Sequence, residues 1–232
     1  MKKTTKSLIW RGFAVLFGIV VLYQIWLFGQ VVYLNFFNPS SSAFMETRLE
    51  ILQEKNPQAA LRHQWVSYER ISNNLKRAIV SAEDDKFLEH EGFDFEAIQK
   101  AYEKNMKKGK FAAGGSTISQ QLAKNLFLSS QKTPWRKIEE AIITLMLEAV
   151  MSKRRILEIY LNIIEWGNGV FGAEAAARHY YGISAAALNA EQAAHLAAMV
   201  PNPRFYDRNR SAPWLLKKKE IILSRMHTAV VP

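Results

Sequence analysis

The chain has 232 residues, of which 49% are apolar and 22% are charged, so it is long enough for one ordinary domain with its own core. Lysine and arginine number 31 against 21 aspartate and glutamate, and the net charge of +10 predicts an anionic partner: nucleic acid, phospholipid or a phosphorylated substrate. The absence of cysteine excludes disulfides and thiolate metal sites.

The N-terminus has the pattern of a membrane anchor. A basic flank precedes residues 13–32, about 20 largely apolar residues that match a hydrocarbon core of roughly 30 Å. A cleaved signal peptide is the alternative, with a weak cleavage site at 41–43, but the apolar run exceeds the usual length of about 7–15 residues. The basic flank should stay cytoplasmic, so the chain after the anchor would lie outside the cytoplasm. That location argues against nucleic acid as its anionic partner. The predicted organisation is a cytoplasmic basic tail (1–12), a transmembrane anchor (13–37) and an extracytoplasmic domain (38–232).

Helical periodicity dominates after position 72, whereas strand-like alternation is nearly absent. Residues 62–71 are expected to form a short extended segment. The helix that begins at Pro134 is apolar nearly all round beyond Glu140, which predicts that it is the buried central helix. The fold class is therefore mainly α, a helical domain on one anchor. The predicted helices cover 72–91, 95–109, 117–128, 134–151, 153–166, 173–181 and 190–199.

One carboxylate stands apart from its acidic neighbours in EDDKFLEHEGFD. Ile79, Glu83, Phe87 and His90 lie near one face if the first helix continues to position 91. A carboxylate beside Phe87 loses solvating water and holds a proton more tightly, as a general base near neutral pH requires. The alternative is a solvated glutamate, or one paired with Lys86 or His90.

The stretch GGSTISQQLAKN, residues 114–125, has the pattern of an anion site. Its glycines let the backbone approach a ligand closely, and the start of the following helix offers unpaired N–H groups. The alternative is a well-capped helix after a flexible loop. The Gly-Lys-Ser/Thr pattern of a nucleotide-binding loop is absent. The polar side chains near such a ligand would be Ser116, Thr117, Gln120, Gln121 and Lys124.

A cationic cluster follows at Lys132, Arg136 and Lys137, with Glu140 one turn beyond Arg136. A surface salt bridge between Arg136 and Glu140 would contribute only a few tenths of a kcal/mol. The functional interpretation is a cationic clamp with a second carboxylate, which suits sugar chemistry with a charged leaving group.

Other patterns exclude competing chemistry. GNGVFG, 167–172, matches G-x-G-x-x-G but follows a helix, so we interpret it as a tight interhelical turn. The histidines lack metal-ligand spacing, and no metal site is expected. The G-x-S-x-G pattern is absent, which argues against the serine nucleophile of an α/β-hydrolase.

Five stretches, in order over 82–208, together resemble the motifs of the peptidoglycan glycosyltransferases. AEDDKFLEHEGFD resembles E-D-x-x-F-x-x-H-x-G-x-D, GGSTISQQLAKN resembles G-x-S-T-I-x-Q-Q-x-x-K-N, and RKIEE resembles R-K-x-x-E. KRRILEIYLNIIEWGNGVFG begins the fourth motif. LAAMVPNPRFYDR resembles the fifth, although family members often have a version richer in proline and serine.

The resemblance implies a lysozyme-like α fold that polymerises lipid II. The 4-OH of one lipid-linked disaccharide attacks C1 of the growing chain, undecaprenyl pyrophosphate leaves, and a β-1,4 bond forms with inversion. By position, Glu83 would be the general base and Glu140 the second acidic residue, while Asp84, Phe87 and His90 would support the site. The implied substrate-binding residues are Ser116, Thr117, Gln120, Gln121, Lys124, Asn125, Lys132, Arg136, Lys137, Lys153 and Arg154.

The expected setting is the bacterial inner membrane, with the catalytic domain in the periplasm and no nucleic acid partner. Residues 95–111 mix aromatic side chains with lysines and are expected to lie in the membrane interface, the alternative being an ordinary helix packed on the core. No cofactor is expected, and a divalent cation, Mg or Mn, at the pyrophosphate is left open. Contacts with other wall-synthesis or division proteins are also left open. The alternative functions are a lysozyme-like cleaving enzyme and an inactive scaffold.

Overall fold

The structure is a computed structural model that describes residues 2–109, 114–128 and 134–232. The chain divides into two units, 1–38 and 39–232, each considered by itself. The first unit is helix α1 (Lys2–Phe36). Its stretch Trp10–Phe36 has 27 residues and a mean hydropathy of 2.1. At about 1.5 Å per residue this stretch is roughly 40 Å long, sufficient for a membrane anchor.

The second unit is built mainly from helices. Its helices are α2 (Ala43–Gln53), α3 (Asn73–Glu83), α4 (Phe95–Lys108), α5 (Ile118–Phe127), α6 (Pro134–Val150), α7 (Lys153–Ile163), α8 (Ala173–Tyr181), α9 (Ala190–Met199), α10 (Pro203–Arg208) and α11 (Pro213–Arg225). Side chains cap the starts of two helices: Asp94 accepts a backbone N–H at α4, and Thr117 forms a capping box with Gln120 at α5. Helices α2, α10 and α11 were not predicted.

A small sheet joins three short strands in the order β1-β3-β2, with β1 (Arg62–His63) parallel to β3 (Val170–Phe171) and β2 (Glu165–Gly167) antiparallel to it. The interpretation of GNGVFG as an interhelical turn is therefore wrong, because it forms the β2–β3 hairpin. The turn requires glycine, since Gly169 has φ +73°. The helix predicted over 153–166 ends at Ile163 to make room for β2.

The core lies around α7 and α9. Helix α7 is buried along most of its length from Ile156 to Ile163. The prediction that α6 is the buried central helix is wrong: only one stripe of it faces the core, while Trp135, Ile138 and Leu145 are exposed. Hydrophobicity on every side of a helix does not say which face has a protein neighbour. The exposed side chains form a second apolar face along α6.

Helix α3 ends at Glu83, well before the predicted end at position 91. Asp84 leaves helical geometry with φ −165° and ψ 77°, and its side chain then bonds to another element. Phe87 and His90 therefore do not share a helical face with Glu83. Phe87 is nonetheless fully buried, because the turns over 85–92 fold it inward.

Candidate active site

Glu83 is the last residue of α3, and its carboxylate meets two donors from distant parts of the chain. Nε2 of Gln121 donates to Oε2 at 3.0 Å, and Nζ of Lys218 lies 3.5 Å from Oε1. The Glu83 side chain is 12% exposed, so it can still reach a ligand. The alternative pairings do not occur, because Lys86 binds Glu96 and His90 binds Asp84.

Tyr160 fixes the orientation of the Gln121 amide. The fully buried hydroxyl of Tyr160 donates to Oε1 of Gln121 at 2.9 Å, which turns the amide nitrogen toward Glu83. Burial raises the pKa of Tyr160 well above its ordinary value, and the charges of Glu83 and Asp84 raise it further. The phenol therefore stays protonated and remains a donor.

Asp84 connects the end of α3 to the start of α5. Its Oδ2 accepts the Ile118 N–H at 3.0 Å, and its Oδ1 lies 2.8 Å from Nε2 of His90. The Gly92 N–H donates to Nδ1 of His90 at 3.1 Å, so Nε2 carries the proton that faces Asp84. A carboxylate at a helix N-terminus is electrostatically favourable. Asp84 and His90 thus hold Glu83 against α5.

A cleft of about 240 Å³ opens beside Glu83, between the end of α3 and the loop that precedes α5. Ser116 lies on its surface, whereas Thr117 is buried and donates its hydroxyl to the Gly92 carbonyl at 2.7 Å. A Cβ on Gly115 would lie 2.9 Å from Cα of Ile98, so glycine lets this loop lie directly on α4.

Lys124 lies within the electrostatic influence of both acidic residues. Burial lowers its pKa, Glu140 and Glu83 raise it, and Arg136 and Lys137 lower it. Glu140 is buried and pairs with Lys137. We refer to Lys124, Arg136 and Lys137, together with the buried carboxylate of Glu140, as the positive cluster.

The remaining predicted residues lie in other surroundings. Lys153 donates to the His90 carbonyl at 2.6 Å and to Glu148 at 2.7 Å, so its ammonium is used inside the protein. Arg154 lies at the surface, pairs with Glu69 and stacks on Tyr68.

Gln120 is buried and uses its side chain in the capping box of α5, and Asn125 is buried on the same helix. Lys132 lies outside the described residues. The substrate-binding roles of these residues stay predictions.

Sequence reasoning missed Lys218 and Tyr160. Lys218 follows Pro213 and Trp214 in a segment for which no helix was expected, and the pattern KKKE in α11 is typical of a solvated face. Tyr160 lies in the fourth motif, where burial of a hydroxyl calls for a partner. Among the described residues, no group of three or more acidic or histidine side chains is arranged to hold a metal ion.

Comparison with known proteins identifies the family. Residues 50–227 match the family model described as Transglycosylase. A protein of Nitrosospira multiformis, named biosynthetic peptidoglycan transglycosylase, is 70% identical over 98% of this chain and 99% of its own length. The chain belongs to the peptidoglycan transglycosylase family.

Other relatives with the same name extend this result. Those of Methylobacillus flagellatus and Janthinobacterium sp. are 65% and 58% identical, covering 98% and 100% of this chain and 99% and 100% of their own lengths. The resemblance found in the five motifs is thereby confirmed. A peptidoglycan transglycosylase is a glycosyltransferase of cell-wall synthesis, and its lysozyme-like, mainly α domain agrees with the predicted fold class.

Proposed function

We propose that the protein polymerises lipid II into β-1,4-linked glycan strands and releases undecaprenyl pyrophosphate, with Glu83 as general base. The observation that carries this proposal is the placement of Glu83. Its carboxylate lies on a cleft and is held by Gln121 and Lys218. Glu83 is also close enough to Lys124, in the positive cluster, for its charge to raise the pKa of that lysine.

Glu83 would receive the proton of the acceptor 4-OH. As the O–H bond breaks, O4 forms a bond to C1 of the donor sugar and the bond from C1 to the pyrophosphate oxygen breaks, which inverts the configuration at C1. Gln121 and Lys218 orient the carboxylate and keep it at the cleft before the proton arrives. A positioned base of this kind contributes about 10²–10⁴-fold to a rate.

The departing pyrophosphate would lie against Lys124, Arg136 and Lys137. Negative charge grows on the bridging oxygen as the C1 bond breaks, and fixed cations stabilise that charge. Glu140 is buried beside these cations and paired with Lys137. Its negative charge favours the protonated form of Lys124. Glu140 would thus keep the cluster charged and in place.

No cofactor is needed for this displacement, since base and cations come from the chain. A Mg or Mn ion at the pyrophosphate would supply further positive charge, and its contribution is tested by adding a chelator to the polymerisation assay. The anchor α1 favours action at the membrane where a lipid-linked substrate lies. We place the catalytic domain on the periplasmic side of the inner membrane, because the basic flank precedes the apolar run.

The membrane interface is the proposed location of α4. Phe95, Tyr102 and Met106 are exposed at intervals that place them near one face of this helix. Position 111 of the predicted interfacial segment lies outside the described residues. Loss of all liposome binding on removing residues 1–38 would contradict this placement.

The test is polymerisation of labelled lipid II by the full chain and two variants. Glu83→Gln should lose at least about 100-fold in rate while keeping the helical circular dichroism spectrum. Glu89→Gln is the matched control, because Glu89 is an exposed glutamate of the same segment. Near-normal turnover by Glu83→Gln would refute the base assignment. Incubation with finished peptidoglycan tests the cleaving alternative, which predicts soluble fragments.

A further inference from the structure

A second cavity, of about 590 Å³, lies where α2, the β2–β3 turn and α10 meet, and it shares no lining residue with the cleft beside Glu83. Its size is within the range of small-molecule sites. The side chains that distinguish it are Arg48, Lys55, Arg204, Arg208, Ile51 and Phe205.

The charge of this cavity is strongly positive. Four cations line it against one carboxylate, that of Asp207. Asp207 already accepts from the Asn168 N–H at 3.1 Å and pairs with His179 at 3.1 Å and Arg210 at 3.2 Å. Its negative charge is therefore balanced by groups other than the four cations.

Two of the cations, Arg48 and Arg204, lie against a buried carboxylate. Arg48 and Arg204 lie 3.4 and 3.5 Å from the same buried carboxylate, Glu165, so one negative charge serves two guanidinium groups. Nε of Arg48 faces Glu165 without forming a hydrogen bond, and Nη2 of Arg48 donates to Oδ1 of Asn168. Burial lowers the pKa of Arg48, Glu165 raises it and Arg204 lowers it. A bound anion would offset this excess of positive charge.

The other two cations are available to a ligand. Lys55 and Arg208 are exposed, and neither forms an ion pair with any acidic side chain that the structure describes. Apolar side chains lie in the same lining, with Ile51 37% and Phe205 44% exposed. The cavity thus offers positive charge beside apolar surface, a combination that suits an amphipathic anion better than inorganic phosphate.

The connection between α1 and the first element of this cavity is short. Only residues 37–42 separate the last residue of α1 from the first residue of α2, and at about 3.5 Å per residue the two are at most about 25 Å apart along the chain. Arg48 lies on α2, and Lys55 follows two residues after its last position. The amphipathic anion present in greatest amount at a membrane surface is an anionic phospholipid.

We propose that this cavity binds the headgroup of an anionic phospholipid, with Lys55, Arg204 and Arg208 around the phosphate and Ile51 and Phe205 against the glycerol and upper acyl chain. The site is separate from the proposed catalytic cleft and does not depend on lipid II as substrate. It would fix the orientation of the domain on the membrane through a specific contact in addition to the anchor.

Native mass spectrometry of the full chain in detergent tests this site, with dioleoylphosphatidylglycerol and dioleoylphosphatidylcholine titrated separately. Lys55→Glu/Arg208→Glu should retain one phosphatidylglycerol fewer than the unaltered chain, through at least a tenfold loss of affinity at that site. Arg70→Glu/Arg77→Glu is the matched control, because both arginines are exposed, line none of the cavities described and give the same change in charge. This control should bind as the unaltered chain does.

Equal phosphatidylglycerol binding by the two double variants would overturn the proposal, as would equal binding of phosphatidylglycerol and phosphatidylcholine by the unaltered chain. Displacement of the lipid by an equal concentration of inorganic phosphate would show a free-anion site and also overturn it. Circular dichroism checks that each variant is folded. Lys55→Gln/Arg208→Gln removes the two charges without reversing them and replaces the charge-reversal variant if that variant is misfolded. It should show the same loss of phosphatidylglycerol binding, and normal binding would overturn the proposal.

Discussion

Replacing Asp84 by asparagine tests whether this residue joins the end of α3 to the start of α5. Both groups that face the carboxylate are donors: the Ile118 N–H at 3.0 Å and Nε2–H of His90 at 2.8 Å. The Gly92 N–H occupies Nδ1 of His90 and prevents the ring from offering Nε2 as an acceptor. An asparagine has one oxygen, so its NH₂ group must face one of these two donors.

The size of the effect follows from these contacts. A buried donor left without an acceptor costs about 1–3 kcal/mol. Loss of the negative charge at the α5 N-terminus adds about 0.3–1 kcal/mol. Asp84 is only 7% exposed, so water cannot easily replace the lost acceptor. We therefore expect Asp84→Asn to lower the free energy of unfolding by about 1–4 kcal/mol, with a matching loss of polymerisation because Glu83 is the adjacent residue.

Denaturant unfolding of the full chain in detergent, followed by tryptophan fluorescence, measures this change. Asp85→Asn is the control: it makes the same substitution one residue later, at an exposed position, and should stay within about 0.5 kcal/mol of the unaltered chain. If Asp84→Asn is as stable as Asp85→Asn, the carboxylate does not hold the two helices together.

Two further predictions concern the loop before α5 and the positive cluster. Gly115→Ala should lose about 1–3 kcal/mol of stability and much of its activity, because the new Cβ would lie 2.9 Å from Cα of Ile98. The control is Gly114→Ala, whose new Cβ would have nothing within 4 Å, and it should keep the stability and activity of the unaltered chain. Equal stability of the two variants would show that the loop does not need a glycine to approach α4. Burial lowers the pKa of Lys124 and Glu140 opposes that shift, so rising pH removes this charge earlier than from an ordinary lysine and the rate falls on the alkaline side. In Glu140→Gln the alkaline limb of kcat/KM should move to lower pH, and an unmoved limb would show that another group titrates.

The starts of some helices could be predicted from the sequence, because residues next to each other in the chain determine them. Asp94 and the Thr117–Gln120 capping box set the starts of α4 and α5, because their side chains satisfy backbone N–H groups within three residues. The end of α3 could not be predicted in the same way. The side chain of Asp84 leaves the helix for a donor on α5, a contact across 34 positions that periodicity does not contain.

The misjudged burial of α6 has a related cause. Apolar residues on all sides predict a helix without water, but they do not distinguish a protein interior from a membrane. Trp135, Ile138 and Leu145 are exposed on the isolated chain, while Ile143 and Leu147 meet the core. In a chain whose α1 is long and apolar enough to cross a membrane, such a second apolar face is suited to contact with lipid.

The surroundings of Glu83 depend on contacts that no single stretch of sequence displays. Gln121 lies 38 positions away and Lys218 lies 135 positions away, on a helix that was not predicted. Glu83 and Asp84 are adjacent, chemically almost identical and both in the lining of the cleft, yet they have different partners. Glu83 meets Gln121 and Lys218, whereas Asp84 accepts the N–H at the start of α5. The division of roles between the two carboxylates therefore rests on the position at which α3 stops.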